Sequence, residues 1–245
     1  MLSLSCFMIE PKELYNTRMK KFVLATLFFI LPAIASAQSI DILYAGDTYT
    51  PPFYQGGALW SGESSLKLFA VPQGLGSSAS LSYKWRRGTL ILGSQSGVGD
   101  NSLSFTDDIF SKPQTFSVQI VDPDDNPLAQ ALITVAPTPP DLLIYEKHPL
   151  YGFLFNKEIT DSYPMRDAEA TLATFPLFFS TSNRGAGVTY EWKSLTGTDS
   201  TESEVTYRAP EEASGSAGVS VVVANPSTLR QKVEASFLIQ FGNEK

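Results

Sequence analysis

The sequence predicts an all-β chain, two tandem antiparallel β-sandwiches following an N-terminal signal peptide. Three observations predict it. Tyr83-Lys84-Trp85 returns as Tyr190-Glu191-Trp192, and a Tyr and a Trp two positions apart in a strand set both rings on one face. Short alternating apolar runs are broken throughout by Gly, Pro, Asn and Asp, which marks many short strands joined by turns. The chain has 245 residues, with 17 Gly and 16 Pro, long enough for two sandwiches of ordinary size.

The N-terminus reads as an address. Met19-Lys20-Lys21 opens a basic region, Phe22 to Ile34 is almost wholly apolar, and Ala35-Ser36-Ala37 supplies the small residues of a cleavage site. Residues 1–37 are therefore expected to be a signal peptide, with Met19 as the true start and Gln38 as the first mature residue. The apolar run is short for a membrane span of about 20 residues, so membrane attachment is expected only if this segment stays uncleaved.

Composition excludes several classes. Net charge is −7, and loss of Lys12, Arg18, Lys20 and Lys21 against only Glu10 and Glu13 leaves the remainder more acidic still. Nucleic acid and anionic membrane surfaces need basic patches, so neither is an expected partner. The one cysteine, Cys6, falls in the leader, and the one histidine is His148. Disulfides, Cys-based metal sites and Ser-His-Asp devices are thereby excluded or nearly so. No pattern calls for a small-molecule cofactor, and no enzyme is expected.

In the first repeat, 38–137, strands are expected at 39–44, 65–71, 81–86, 90–92, 102–106, 115–121 and 129–135. Pro51-Pro52 and Gly56-Gly57 break regular structure between the first two. Leu81, Tyr83 and Trp85 share the inward face of the third. The last two form a hairpin across Asp122-Pro123-Asp124-Asp125-Asn126-Pro127. The Tyr-x-Trp strand followed by Phe116-Ser117-Val118-Gln119-Ile120-Val121-Asp122 and its Asp/Asn turn resembles the PKD and bacterial Ig-like sandwich modules. That resemblance implies Ig-like/PKD-like sandwiches in which Trp85 and Trp192 are core tryptophans.

A Pro-rich linker at 138–140 follows, and 141–245 repeats the first sandwich in order. Asp41-Ile42-Leu43-Tyr44 is matched by Asp141-Leu142-Leu143-Ile144-Tyr145, Leu68 to Pro72 by Leu172 to Pro176, Ser117 to Val121 by Ser220 to Ala224, and Ala131 to Val135 by Ser236 to Gln240. The second copy adds the aromatic-rich segment 147–157, with Tyr151, Phe153 and Phe155. With Leu177-Phe178-Phe179 this segment is expected to form an apolar patch where the two sandwiches meet. The whole layout also resembles uncharacterised exported two-domain proteins of small-genome bacteria with type IV pili, a resemblance that implies no activity.

Two site readings remain. Asp122, Asp124 and Asp125 offer several oxygens on one loop and form a weak calcium candidate, although the stretch also makes a good hairpin turn. Tyr49, Phe53, Tyr54 and Trp60 lie in a Gly-rich loop and, with Tyr151, Phe153 and Phe155, are candidate partner-binding aromatics. The expected function is a non-catalytic cell-surface structural, adhesive or docking protein meeting envelope or pilus proteins. The alternative is a secreted carbohydrate-binding module that stacks a surface glycan on the loop aromatics.

Overall fold

The computed structural model describes residues 38–107, 111–181, 187–195, 199–209 and 214–242. The signal-peptide reading of 1–37 lies outside the described residues. The described residues all belong to one compact unit. Among the described residues no helix is long and apolar enough to cross a membrane.

The first repeat contains β1 (Ser39–Gly46), β2 (Ser65–Gln73), β3 (Ser82–Arg87), β4 (Leu90–Ile91), β5 (Gly97–Val98), β6 (Ser102–Thr106), β7 (Gln114–Val121) and β8 (Pro127–Val135). One sheet runs β1-β2-β6. The other runs β4-β3-β7-β8, with β5 also on β3. The period-2 pattern explains the faces: Leu66, Leu68 and Ala70 are buried while Lys67 and Phe69 point outward. Tyr83 and Trp85 are fully buried against Leu103, Phe116 and Val118.

The second repeat contains β9 (Asp141–His148), β10 (Gly152–Phe153), β11 (Ser162–Pro164), β12 (Glu169–Leu177), β13 (Thr189–Ser194), β14 (Glu204–Arg208), β15 (Gly215–Ala224) and β16 (Lys232–Phe241). Its sheets run β10-β9-β12-β14 and β11-β16-β15-β13. In both halves the first strand, the second and the one that follows the Trp strand's loop (β6 and β14, the E-type strands) form one sheet, and the Trp strand and final hairpin form the other. This is the immunoglobulin-like order, and the chain is all-β with two such sandwiches. A separate core surrounds Trp192, with Ile144, Leu172, Val221 and Ile239.

Pairing registers show how closely one half repeats the other. Trp85 lies opposite Val118, which lies opposite Ala131. Trp192 lies opposite Val221, which lies opposite Ala235. Each indole N–H donates to a carbonyl two residues before the E-type strand, Trp85 to Asp100 (2.9 Å) and Trp192 to Glu202 (2.9 Å). The structure corrects two sequence matches. Ala131 corresponds to Ala235 rather than Ser236. In the first strand Ile40, opposite Pro72, corresponds to Leu142, opposite Pro176. In the last strand a slip of one residue would turn the apolar face to solvent; in the first, the pairing opposite the two prolines decides the register.

β11 has no strand counterpart in the first half. It adds parallel to β16 and buries Tyr163. In the first half the same connection carries Trp60, whose carbonyl accepts from Thr138 N–H (2.7 Å). Thr138 is the sole N–H of the Pro137–Pro140 run, so the linker is fastened at its one available donor.

Candidate functional site

The loop between β1 and β2 does most to connect the halves. β1 ends at Gly46, where an added Cβ would collide with the Leu59 carbonyl oxygen, so the loop can fold back here only over glycine. That return drives Trp60 into the first core, fully buried, edge-on to Phe105, with its indole N–H on the Ser64 carbonyl (3.1 Å). The expectation of Trp60 as an exposed contact is therefore corrected. Among Gly, Ala and Ser neighbours it reads as loop, but its apolar area has a core to fill.

The rest of the loop lies on the second half. Thr48 forms an antiparallel bridge with Ser180. Tyr49 N–H donates to Phe179 O (2.8 Å), and Phe178 N–H donates to Tyr49 O (2.8 Å). Phe53 stacks on Phe155 at 4.1 Å between centroids and meets Phe175 edge-on at 4.9 Å. Tyr145 and Phe153 complete this aromatic cluster. Tyr54 meets Phe178 edge-on at 5.7 Å.

A polar clamp secures the other side. The Glu63 carboxylate accepts from Leu229 and Arg230 N–H, both at 2.8 Å, in the turn between β15 and β16. Buried Gln231 donates to Ser61 Oγ (2.9 Å) and Gly62 O (2.6 Å), and accepts from Ser180 N–H (2.7 Å) and Asn225 Nδ2 (3.1 Å). Glu63 and Phe178 both sit at φ 60°. Non-glycine residues hold that left-handed geometry only where surroundings over-determine it. Among the described residues, two of the three such positions flank this junction.

The candidate aromatics thus divide. Phe53, Tyr54 and Phe153 are half-buried in the junction, and Phe155 and Tyr49 are partly exposed at its border. Tyr151 alone stands well clear, 76% exposed beside Leu150 at 81%. Both occupy the tip of the β9–β10 hairpin. The aromatic density of 147–157 is legible in the sequence, whereas Phe53's partner Phe175 and the whole polar clamp are not. Nothing in Glu63 or Gln231 distinguishes them from ordinary surface residues.

The calcium candidate does not assemble. Asp122 Oδ1 accepts from Asp124 N–H (2.9 Å) and Asn126 N–H (2.8 Å), and Oδ2 accepts from Asn126 Nδ2 (3.0 Å). These bonds, the Asn126 side chain first, hold its carboxyl below the ordinary value. Asp125 pairs instead with Lys84. Among the described residues no group of three His, Cys, Asp or Glu converges as metal ligands would. The stretch is a self-capped hairpin turn.

No family model matches the chain, and no curated protein matches it. Solved structures similar to it include three N-terminal domains of the bacteriophage RB49 highly immunogenic outer capsid protein, at 13% identity and TM-score 0.41. That match covers 83% of this chain and 59% of that one; the chain thus spans less than two thirds of the phage structure's length. The fibronectin(III)-like modules of Clostridium thermocellum CbhA match at 9% identity and TM-score 0.28, covering 81% of this chain and 93% of theirs. The tandem V-type regions of the chitin-binding protein VCBP3 match at 8% and 0.23, covering 82% and 99%. Scores this low assign no shared fold, and the sandwich architecture rests on the strand pairings above.

Proposed function

We propose that this chain is an exported, non-catalytic structural or docking protein, a two-sandwich strut that holds protein partners at a fixed spacing. The junction is the observation that carries this reading. A backbone bridge, an aromatic cluster and a satisfied buried polar network join the halves, whereas a flexible tether would need only the linker. Fixed geometry is what a spacer requires, and it is of no evident use to two independently tethered binding modules. The partner class we favour is an envelope or pilus component, met through the exposed hairpin tip at Leu150 and Tyr151. The glycan reading loses its main surface, because Trp60 is buried and Phe53 and Tyr54 are engaged by the second half.

Crosslinking in intact native cells followed by mass spectrometry tests the proposal. Envelope or pilus proteins are the expected dominant neighbours, and substitution of Tyr151 should reduce them. Recovery of the chain free in the medium with no protein neighbour overturns it.

A further inference from the structure

The hairpin tip is held by a single titratable side chain. His148 ends β9, and its Nδ1 accepts from the N–H groups of Leu150 (3.1 Å) and Tyr151 (3.4 Å). The Tyr151 ring stacks on the imidazole at 4.7 Å between centroids, tilted by 30°. Gly152, at φ 72°, returns the chain into β10, paired with His148. Two exposed apolar side chains are thus presented in one orientation by one ring nitrogen.

An imidazole nitrogen accepts only while it carries no proton. Nδ1 acting as acceptor fixes the neutral ring with its proton on Nε2. In the imidazolium both nitrogens donate, so Nδ1–H would oppose the two backbone N–H groups it now serves. Beside His148 lies a hollow of about 780 Å³ whose lining includes Glu146 and Lys147 of β9, Asp167, Glu169 of β12 and Glu204 of β14. Lys147 is paired with Glu204 (2.7 Å), and Glu169 with Arg208 (2.8 Å). Glu146 bonds the Tyr163 hydroxyl. With Glu204 paired to Lys147 and Glu169 to Arg208, Glu146 and Asp167 leave the lining of the hollow net negative.

We propose that His148 is a pH-sensitive latch for the Leu150–Tyr151 tip. The neutral ring holds the tip ordered, and protonation releases it and swings the ring toward the acidic hollow. This inference rests on the geometry of the tip and is independent of the partner reading above.

Nitrogen-15 NMR and amide exchange on the full chain test it. Near pH 8 the ring should show the Nε2–H tautomer, and the Leu150 and Tyr151 amides should be protected. Near pH 5, after correction for intrinsic exchange, their protection should fall about three- to tenfold, as expected for losing one or two such bonds. The Trp85 and Trp192 indole signals should not move. In His148→Asn, whose side-chain carbonyl accepts without titrating, the acid-linked loss should vanish. Equal protection at both pH values, or an undiminished acid-linked loss in His148→Asn, overturns the latch.

Discussion

Tyr207 shows how a single residue can sit against its surroundings. It occupies the position of Phe105 in the first half, each next to the last residue of its E-type strand. Its hydroxyl is buried with no hydrogen-bond partner among the described residues. Burial first, and then the charge of Asp199, push the phenol from 10.0 up to about 12. A folded-state value above the unfolded one contributes stability that is complete below pH 10 and lost as pH rises through about 12. Tyr207→Phe restores the residue type used in the first half and removes an unpaired buried oxygen. It should stabilise by roughly 1 kcal/mol and flatten the alkaline loss, both read from thermal melts between neutral and alkaline pH. The indole of Trp60 makes the opposite case. Its truncation to Ala should destabilise by about 3–5 kcal/mol, the range for large aromatics in cores, as measured by urea unfolding. An exposed contact residue would leave the midpoint unchanged.

At the scale of elements, the loop between β1 and β2 decides how the halves meet. Gly46→Ala drives a Cβ into the Leu59 carbonyl, so the loop must shift and Trp60 with it. A loss of about 1–3 kcal/mol is expected, with changed fluorescence from Trp60 but not Trp192. Glu63→Ala removes the acceptor of two backbone N–H groups while keeping a side chain at a left-handed φ. It should cost about 1–2 kcal/mol, and amide exchange at Leu229 and Arg230 should rise first. The elements themselves were largely legible from alternation: β6 (Ser102–Thr106) falls where the sequence places it. β10, β11 and β14 were not. β10 and β11 are two and three residues long, and β14 alternates Val205 and Tyr207 among charged residues that resemble solvated surface. Each exists because a neighbouring strand offers it an edge.

At the largest scale, the junction predicts that the two sandwiches move as one rigid body. Residual dipolar couplings from the two halves should fit a single alignment tensor, and thermal unfolding should be one transition. In Phe53→Ala combined with Gln231→Ala the couplings should require two tensors and the transition should broaden or split. Two tensors in the unaltered chain would contradict the strut.

The sequence by itself determined the strand periodicity, the duplication and the two core tryptophans, because alternation and the Tyr-x-Trp spacing are local properties of a pleated backbone. Register at the first and last strands, the burial of Trp60 and the partners of Phe53, Glu63 and Gln231 were decided only by the tertiary structure. Those depend on which surfaces meet across long separations, such as Glu63 with Leu229. An isolated carboxylate or amide in a sequence carries no mark of the backbone groups it will later satisfy.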